Sequence, residues 1–406
     1  MKRLLIYSHD TFGLGNMRRM TSIATYLTQK NPELNILLLS GSNALPAFQL
    51  PERIDYVKLP CLYRNTEGDY DARSLSIGLK DIIQLRANLI LNAALDFKPD
   101  LIVVDKKPFG VANELEPVLS VLGRRINPPR MVLLLRDILD DAKETRDIWD
   151  RNGYHDAIDR YYEAILVVGD QNVYDLGQEY EFPVSTRSRI RYCGYIRKND
   201  DQEFTSPFGT PPPVLVTPGG GEDGERLVQT FMDAMSGEES GEEPGEESGQ
   251  DSGEKAPVTT HTNFESLVCL GPDLNEAKSK FFIERSKEIQ GITCLRFTNH
   301  MAHHMSQAKV LVTMGGYNTI YEGLSLQKAM IVVPRTTPSR EQEIRAQRLS
   351  EMGLLNCVMP ENLTPVHLRT AIECSLQEGD RRLPEINFEG LSSVNREIQK
   401  LCGVAA

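Results

Sequence analysis

Val310-Leu311-Val312-Thr313-Met314-Gly315-Gly316-Tyr317-Asn318-Thr319-Ile320-Tyr321-Glu322-Gly323 reads as a short apolar strand, a glycine turn and the start of a helix. The apolar run shows no polar alternation, as a strand covered on both faces of a parallel sheet requires. The same device appears twice more. The chain opens with Leu5-Ile6-Tyr7-Ser8-His9-Asp10-Thr11-Phe12-Gly13-Leu14-Gly15-Asn16, followed by Met17, Met20, Ile23, Ala24 and Leu27 at helical spacing. Its second half opens with Val214-Leu215-Val216-Thr217-Pro218-Gly219-Gly220-Gly221-Glu222-Asp223-Gly224, which runs into an apolar helical segment at 227–235.

Outward from these loops, apolar runs at 4–7, 36–39, 101–104, 131–135 and 165–168 form one series of expected strands. Runs at 214–216, 267–270, 293–297, 310–312 and 331–333 form another. Amphipathic stretches such as 75–95 separate them, so the fold class is α/β with two Rossmann-like, doubly wound parallel sheets. The expected domains are 1–197 and 214–387. The linker 198–213 ends in Thr210-Pro211-Pro212-Pro213, a stiff connector. Residues 391–401 have the pattern of a terminal amphipathic helix. Between a helix and a strand of the second domain lies an acidic Gly/Ser/Glu insert, 236–260. It cannot bury enough apolar surface to offset its ordering entropy and is expected to be disordered.

Composition narrows the class. The 406 residues are 40% hydrophobic and 25% charged, as in a globular protein, and no apolar run reaches membrane-spanning length. The eight acidic residues between Gly237 and Glu254 account for two-thirds of the net charge of −12. Nothing resembles a basic nucleic-acid footprint. Seven scattered cysteines without a Cys-x-x-Cys pair suit reduced thiols in a cytoplasmic protein.

The glycine loops are suited to anions: glycines admit close backbone approach, and a helix N-terminus presents N–H groups and positive dipole. Neither of the domain-opening loops is a dinucleotide fingerprint or a Walker loop, and a tight turn without ligand explains each as well. In the third loop, Gly315, Gly316, Asn318 and Thr319 can surround phosphates, and Glu322, one turn on, can accept both hydroxyls of a ribose. The same Thr319-x-x-Glu322 also fits a capping box that merely satisfies the helix.

The Gly315-Gly316-Tyr317-Asn318-Thr319-x-x-Glu322 pattern is followed by Val332-Val333-Pro334-Arg335, and then by Glu341-Gln342 ahead of Arg345-Ala346. In this combination the chain resembles the inverting two-Rossmann-domain (GT-B type) glycosyltransferases of family 28. The bacterial peptidoglycan N-acetylglucosaminyltransferase-like group is the named relative. The resemblance implies two domains facing a cleft, with a terminal helix, 388–402, returning to the first domain. It implies a nucleotide-diphosphate sugar donor, most often UDP-linked, transferred to an acceptor hydroxyl with inversion, and no metal or cofactor. Gly219, Gly220, Gly221, Gly315, Gly316, Asn318 and Thr319 would line the diphosphate and Glu322 the ribose. Phe297 and Met301 would contact the base, and Arg335, Glu341 and Gln342 would complete the donor site. On the acceptor side stand Gly13, Gly15, Asn16, Asp105 and Asp137. Asn16 is a departure, because the family places a histidine there and asparagine cannot accept a proton.

Inverting transfer needs a group that takes the acceptor's proton. Titratable residues just past strand ends are the candidates: Asp10 first, His9 next, with Asp105 and Asp137 binding the acceptor or bracing loops. Taken singly, each reads more readily as a helix cap or loop hydrogen bond; it is the four at corresponding strand ends that point to a site. His300, His303 and His304 lack a third-ligand pattern for a metal, and Asp69-Tyr70-Asp71 reads as a turn rather than a metal-carrying motif. Arg18, Arg19, Arg64 and Arg73 give the first domain a positive lean suited to an anionic acceptor or a peripheral membrane contact. Two other functions fit the same pattern: a nucleotide-sugar hydrolase or epimerase, and a non-catalytic nucleotide-sugar-binding protein.

Overall fold

A computed structural model describes residues 2–9, 15–43, 45–47, 49–64, 70–197, 211–221, 223–237, 264–378 and 385–403. The chain divides into two compact units, Met1–Lys198 with Glu385–Ala406, and Asn199–Pro384. Strands of the first unit are β1 (Lys2–Tyr7), β2 (Leu34–Ser40), β3 (Ile54–Lys58), the hairpin pair β4 (Leu62–Arg64) and β5 (Tyr70–Ala72), β6 (Leu101–Asp105), β7 (Arg130–Arg136), β8 (Ala164–Val168) and β9 (Ile190–Tyr192). Seven of them form one parallel sheet in the order β3-β2-β1-β6-β7-β8-β9. Strands β1, β6, β7 and β8 run through its middle as continuous Leu/Ile/Val segments with almost no exposed surface, as a sheet covered on both faces demands.

The second unit carries β10 (Val214–Thr217), β11 (Ser266–Cys269), β12 (Ile292–Leu295), β13 (Val310–Thr313), β14 (Ala329–Val332) and β15 (Asn356–Cys357). They form a parallel sheet ordered β12-β11-β10-β13-β14-β15. Its core is built from Val216, Val228, Phe231, Val268, Phe282, Val312, Ile331 and Leu368. Both sheets are therefore doubly wound and reverse winding direction once, between β1 and β6 and between β10 and β13. Parallel sheets leave a crevice at the carboxyl ends of the strands flanking such a reversal.

The two series of central strands expected from sequence are present, within a residue or two of their predicted bounds. Edge strands β3, β9 and β15 carried no such signal. Ile54-Asp55-Tyr56-Val57-Lys58 buries only its first residue well, because an edge strand needs neither two apolar faces nor length. The helix expected over 75–95 starts later, at Leu79, after Gly78, and runs to Phe97.

The last segment returns to the first unit. Asn387 donates its backbone N–H to Asp170 Oδ2 (3.0 Å), and Tyr195 N–H donates to Asn387 O (2.7 Å). The final helix, Gly390–Leu401, lies beside the helix Gly15–Lys30, where Asn31 bonds Asn395 (2.7 Å) and Gln399 (2.8 Å). This return begins at Glu385, three residues before the segment expected from sequence. The acidic insert lies outside the described residues beyond Gly237, as does the linker up to residue 210. Among the described residues no helix is long and apolar enough to cross a membrane.

Candidate functional site

The second unit's switch point is built by three loops. Strands β10 and β13 lie side by side with Thr217 opposite Thr313, and the Thr313 hydroxyl donates to Thr217 O (2.6 Å). The loop after β10 holds Gly219, Gly220 and Gly221; the turn after β13 holds Gly315 and Gly316. These glycines do different work. Gly221 has a φ of +99°, and a Cβ there would sit 2.4 Å from Leu270 O, so it exists to let two backbones touch. Gly315 would place a Cβ 2.7 Å from Gln342 Cβ, so it seats the helix Glu341–Glu351. Gly219 and Gly316 instead face space in which the Thr319 hydroxyl is the nearest atom, at 3.8 and 4.0 Å from their built Cβ positions.

The helix Tyr317–Ser325 starts at Gly316 with no side-chain cap. The capping-box reading of Thr319 and Glu322 is therefore incorrect: the cap position is Gly316, and Thr319 is already the third helical residue. Tyr317, Ile320, Tyr321 and Leu324 are buried, while Asn318, Thr319 and Glu322 remain half-buried on another stripe. Beneath the turn lies Arg345, fully buried, donating to Gly315 O (2.8 Å) with its guanidinium 5.6 Å from the Tyr317 ring centroid.

A circuit of contacts closes around this space. Gln342 lies against Gly315, and its Oε1 accepts the Arg335 N–H (3.2 Å). Arg335 Nη1 binds Asp223 Oδ2 (2.7 Å). Asp223 belongs to the loop that begins with Gly219, which returns to Thr319 and Gly316. The sequence reading had Arg335 and Gln342 but passed over Asp223, whose only signal was its place in that glycine loop. Glu341 is half-buried at the start of its helix. Phe297 follows β12 with 44% of its surface exposed, and Met301 opens the short helix Met301–Gln307.

At the first unit's switch point the polar groups bind one another. Asp105, ending β6, accepts from Arg19 Nη2 (2.7 Å) and from the His9 backbone N–H (3.3 Å). Asn16 donates Nδ2 to His9 O (2.9 Å) and accepts at Oδ1 from Arg19 Nη2 (3.2 Å). Arg19 and Asp105 are both buried, so Arg19 lies on no positive rim; Arg73 is exposed, and the Arg64 side chain is outside the described residues. The His9 ring is 3.4 Å, Nε2 to hydroxyl, from Tyr70 on β5. Asn16, the second residue of the helix Gly15–Lys30, thus clips the loop entry to that helix. Asp137 is fully buried, accepting from Ile138 N–H (2.8 Å) and the Tyr195 hydroxyl (2.6 Å), which is the position of a brace. Asp10 and Gly13 lie outside the described residues.

Behind this edge, Glu114 accepts from Arg86 (2.5 and 2.6 Å) and from Tyr7 (2.6 Å), all three buried. Burial and the Glu114 carboxylate push the Tyr7 hydroxyl well above its usual range. Among the described residues no group of three or more His, Cys, Asp or Glu side chains could hold a metal ion. His304 is buried, and burial, then the neighbouring His303 and His300, lowers its pKa. A hollow of about 250 Å³ lined by Leu122, Pro128, Met131, Tyr161 and Arg189 lies at the opposite, amino ends of β7–β9.

With this geometry in place, the chain can be set beside the known proteins it is similar to. Residues 246–396 match the sequence model of the glycosyltransferase family 28 C-terminal domain, a span that includes Gly315–Glu322, Arg335 and Gln342. The chain is 37% identical to the NDP-glycosyltransferase YjiC of Bacillus licheniformis over 76 residues, 19% of this chain and 18% of that one. It is 30% identical to an uncharacterized glycosyltransferase of Methanopyrus kandleri over 94 residues, 23% of this chain and 26% of that one. These matches thus span about a fifth to a quarter of each curated relative. Among solved structures, CalG4, the calicheamicin glycosyltransferase, superposes with a TM-score of 0.61 at 13% identity, covering 100% of this chain and 99% of its own. MurG of Acinetobacter baumannii does so at 0.56 and 13%, covering 98% and 100%. The fold is the two-Rossmann-domain GT-B fold of glycosyltransferases. The family 28 match is to the C-terminal domain model and lies mostly within the second unit, and the fold likeness extends over the whole chain.

Proposed function

We propose that the chain transfers a sugar from a nucleotide-diphosphate donor, UDP-linked, to an acceptor hydroxyl with inversion at the anomeric carbon. The observation that carries this reading is the uncapped start of the helix Tyr317–Ser325, open beside Gly219, with Thr319 at its mouth and Glu322 one turn on. A helix N-terminus attracts a diphosphate by its dipole and its N–H groups. The Glu322 carboxylate accepts two hydroxyls, as a ribose provides. Phe297 and Met301 are assigned to the base, and Asn318, Arg335, Glu341 and Gln342 to the rest of the donor.

In the reaction the acceptor oxygen bonds to the anomeric carbon as the bond from that carbon to the diphosphate breaks. The diphosphate leaves with the electron pair, and the helix dipole stabilises its growing charge, so the step calls for neither metal nor cofactor. The acceptor's proton goes to a base at the first unit's switch point. His9 is the described candidate and Asp10 the other. Asp105 does not serve, since Arg19 and the His9 N–H already occupy it. The chain works in the cytoplasm in this reading, on an acceptor defined only by its hydroxyl.

Isothermal calorimetry with UDP tests the donor site. Replacing Glu322 by Ala removes two hydrogen bonds to a charged acceptor and is expected to weaken UDP binding about 10- to 100-fold. Equal affinity in the two proteins would remove the assignment.

A further inference from the structure

We propose that Asp223, acting with Arg335, reads the donor's sugar, and that this sugar is an uncharged hexose with adjacent free hydroxyls. The inference rests on the nucleotide-sugar reading above and names the part of the donor which that reading leaves open. The circuit around the switch point has a direction. Glu322, Thr319 and Gly316 lie along one helix start, suited to ribose and then diphosphate. Next come Gly315 and the side chain of Gln342, then Arg335, then Asp223. A nucleoside diphosphate laid from Glu322 towards Gly316 points its sugar at the last three.

The chemistry of those three suits a diol. Gln342 Oε1 accepts the Arg335 N–H, which fixes the amide orientation and leaves its NH₂ as the group offered to a ligand. Arg335 carries a buried Nε with no hydrogen-bond partner among the described residues, a donor still lacking its oxygen. Asp223 is 44% exposed at its side chain and only one of its oxygens is bonded to Arg335. The set therefore offers donors and an acceptor side by side, and each of two neighbouring hydroxyls needs both. As a neutral ion pair it adds no net positive charge for a diphosphate. Against a sugar bearing its own carboxylate, Asp223 adds a like charge, which excludes rather than attracts.

Calorimetry with UDP, UDP-glucose and UDP-glucuronic acid on the full chain and on Asp223→Asn and Asp223→Ala tests this. Wild type is expected to bind UDP-glucose at least about tenfold more tightly than UDP-glucuronic acid. Asp223→Asn should collapse that ratio towards one, and Asp223→Ala should bring UDP-glucose down towards UDP, with UDP itself unchanged in both. Melting temperatures of the variants verify folding at this exposed position. UDP binding that falls in step with UDP-glucose would put the pair on the diphosphate and overturn the proposal. So would a wild type that binds both sugars alike. A wild type that binds none of the three overturns the nucleotide reading and this inference together.

Discussion

The two switch points are made by the same strand–loop–helix device and finished in opposite ways. In the first unit, Arg19, Asp105, Asn16 and the His9 backbone bond one another in a buried network. In the second, Gly219 and Gly316 leave room around Thr319, and the polar side chains stay half-buried. A buried ion pair has been desolvated once and for all, so its groups are costly to redirect to a ligand. Half-buried groups around a glycine-lined space keep part of their hydration and are less costly to turn towards a ligand. The contrast fits the proposal that the donor is recognised in the second unit, while Arg19, Asp105 and Asn16 of the first hold its loop and leave proton transfer to His9 or Asp10.

The largest effect should come from breaking the closed site. Asp105→Ala leaves the Arg19 charge buried and is expected to cost about 3–5 kcal/mol of stability in urea denaturation, with UDP affinity of the folded protein unchanged. A loss of UDP binding without loss of stability would make the two sites alike after all.

Neighbouring glycines of the open site should then part company. Gly315→Ala drives a Cβ into Gln342 and should cost about 1–3 kcal/mol. Gly316→Ala meets no atom nearer than 4.0 Å and, with its φ of −64°, is expected to cost under about 1 kcal/mol. It should nonetheless weaken UDP about tenfold, because the new methyl group occupies the diphosphate's approach. Thermal melts beside calorimetry separate the two, and the contrast fails if Gly316→Ala binds UDP as wild type does.

The smallest effect concerns acid. His304 has its pKa lowered by burial below the ordinary 6.5. The unfolded chain therefore takes up the proton first, and the stability from keeping this ring neutral is complete above pH 6.5 and is lost as pH falls through that value. Acidification from pH 7.5 to 5.5 should weaken the second unit less in His304→Gln than in wild type, followed by urea denaturation. Identical pH dependence would show that the ring does not titrate with unfolding.

Much of this was legible in the chain. The central strands announce themselves because burial on both faces forces an unbroken Leu/Ile/Val run, and the winding follows from strand–helix alternation. Edge strands such as Ile54–Lys58 face water on one side and carry no such mark. Gly315, Gly316, Thr319 and Glu322 stand close in sequence, so one helical turn brings them together, and the family pattern at 315–342 supplied most of the residues proposed for the donor. Sequence could not divide the glycines into those that let backbones touch, as Gly221 and Gly315 do, and those that border open space. Nor could it reveal that Arg19 is buried on Asp105 or that Asp223 meets Arg335, pairs separated by 86 and 112 residues.

Local spacing and apolar pattern, then, determined two doubly wound sheets and the loops that flank their reversals. Which charged groups are buried against each other and which stay partly exposed was decided only when distant segments met. Desolvation and hydrogen-bond partnership depend on what lies across a gap of a few ångströms, and that neighbour is rarely a neighbour along the chain.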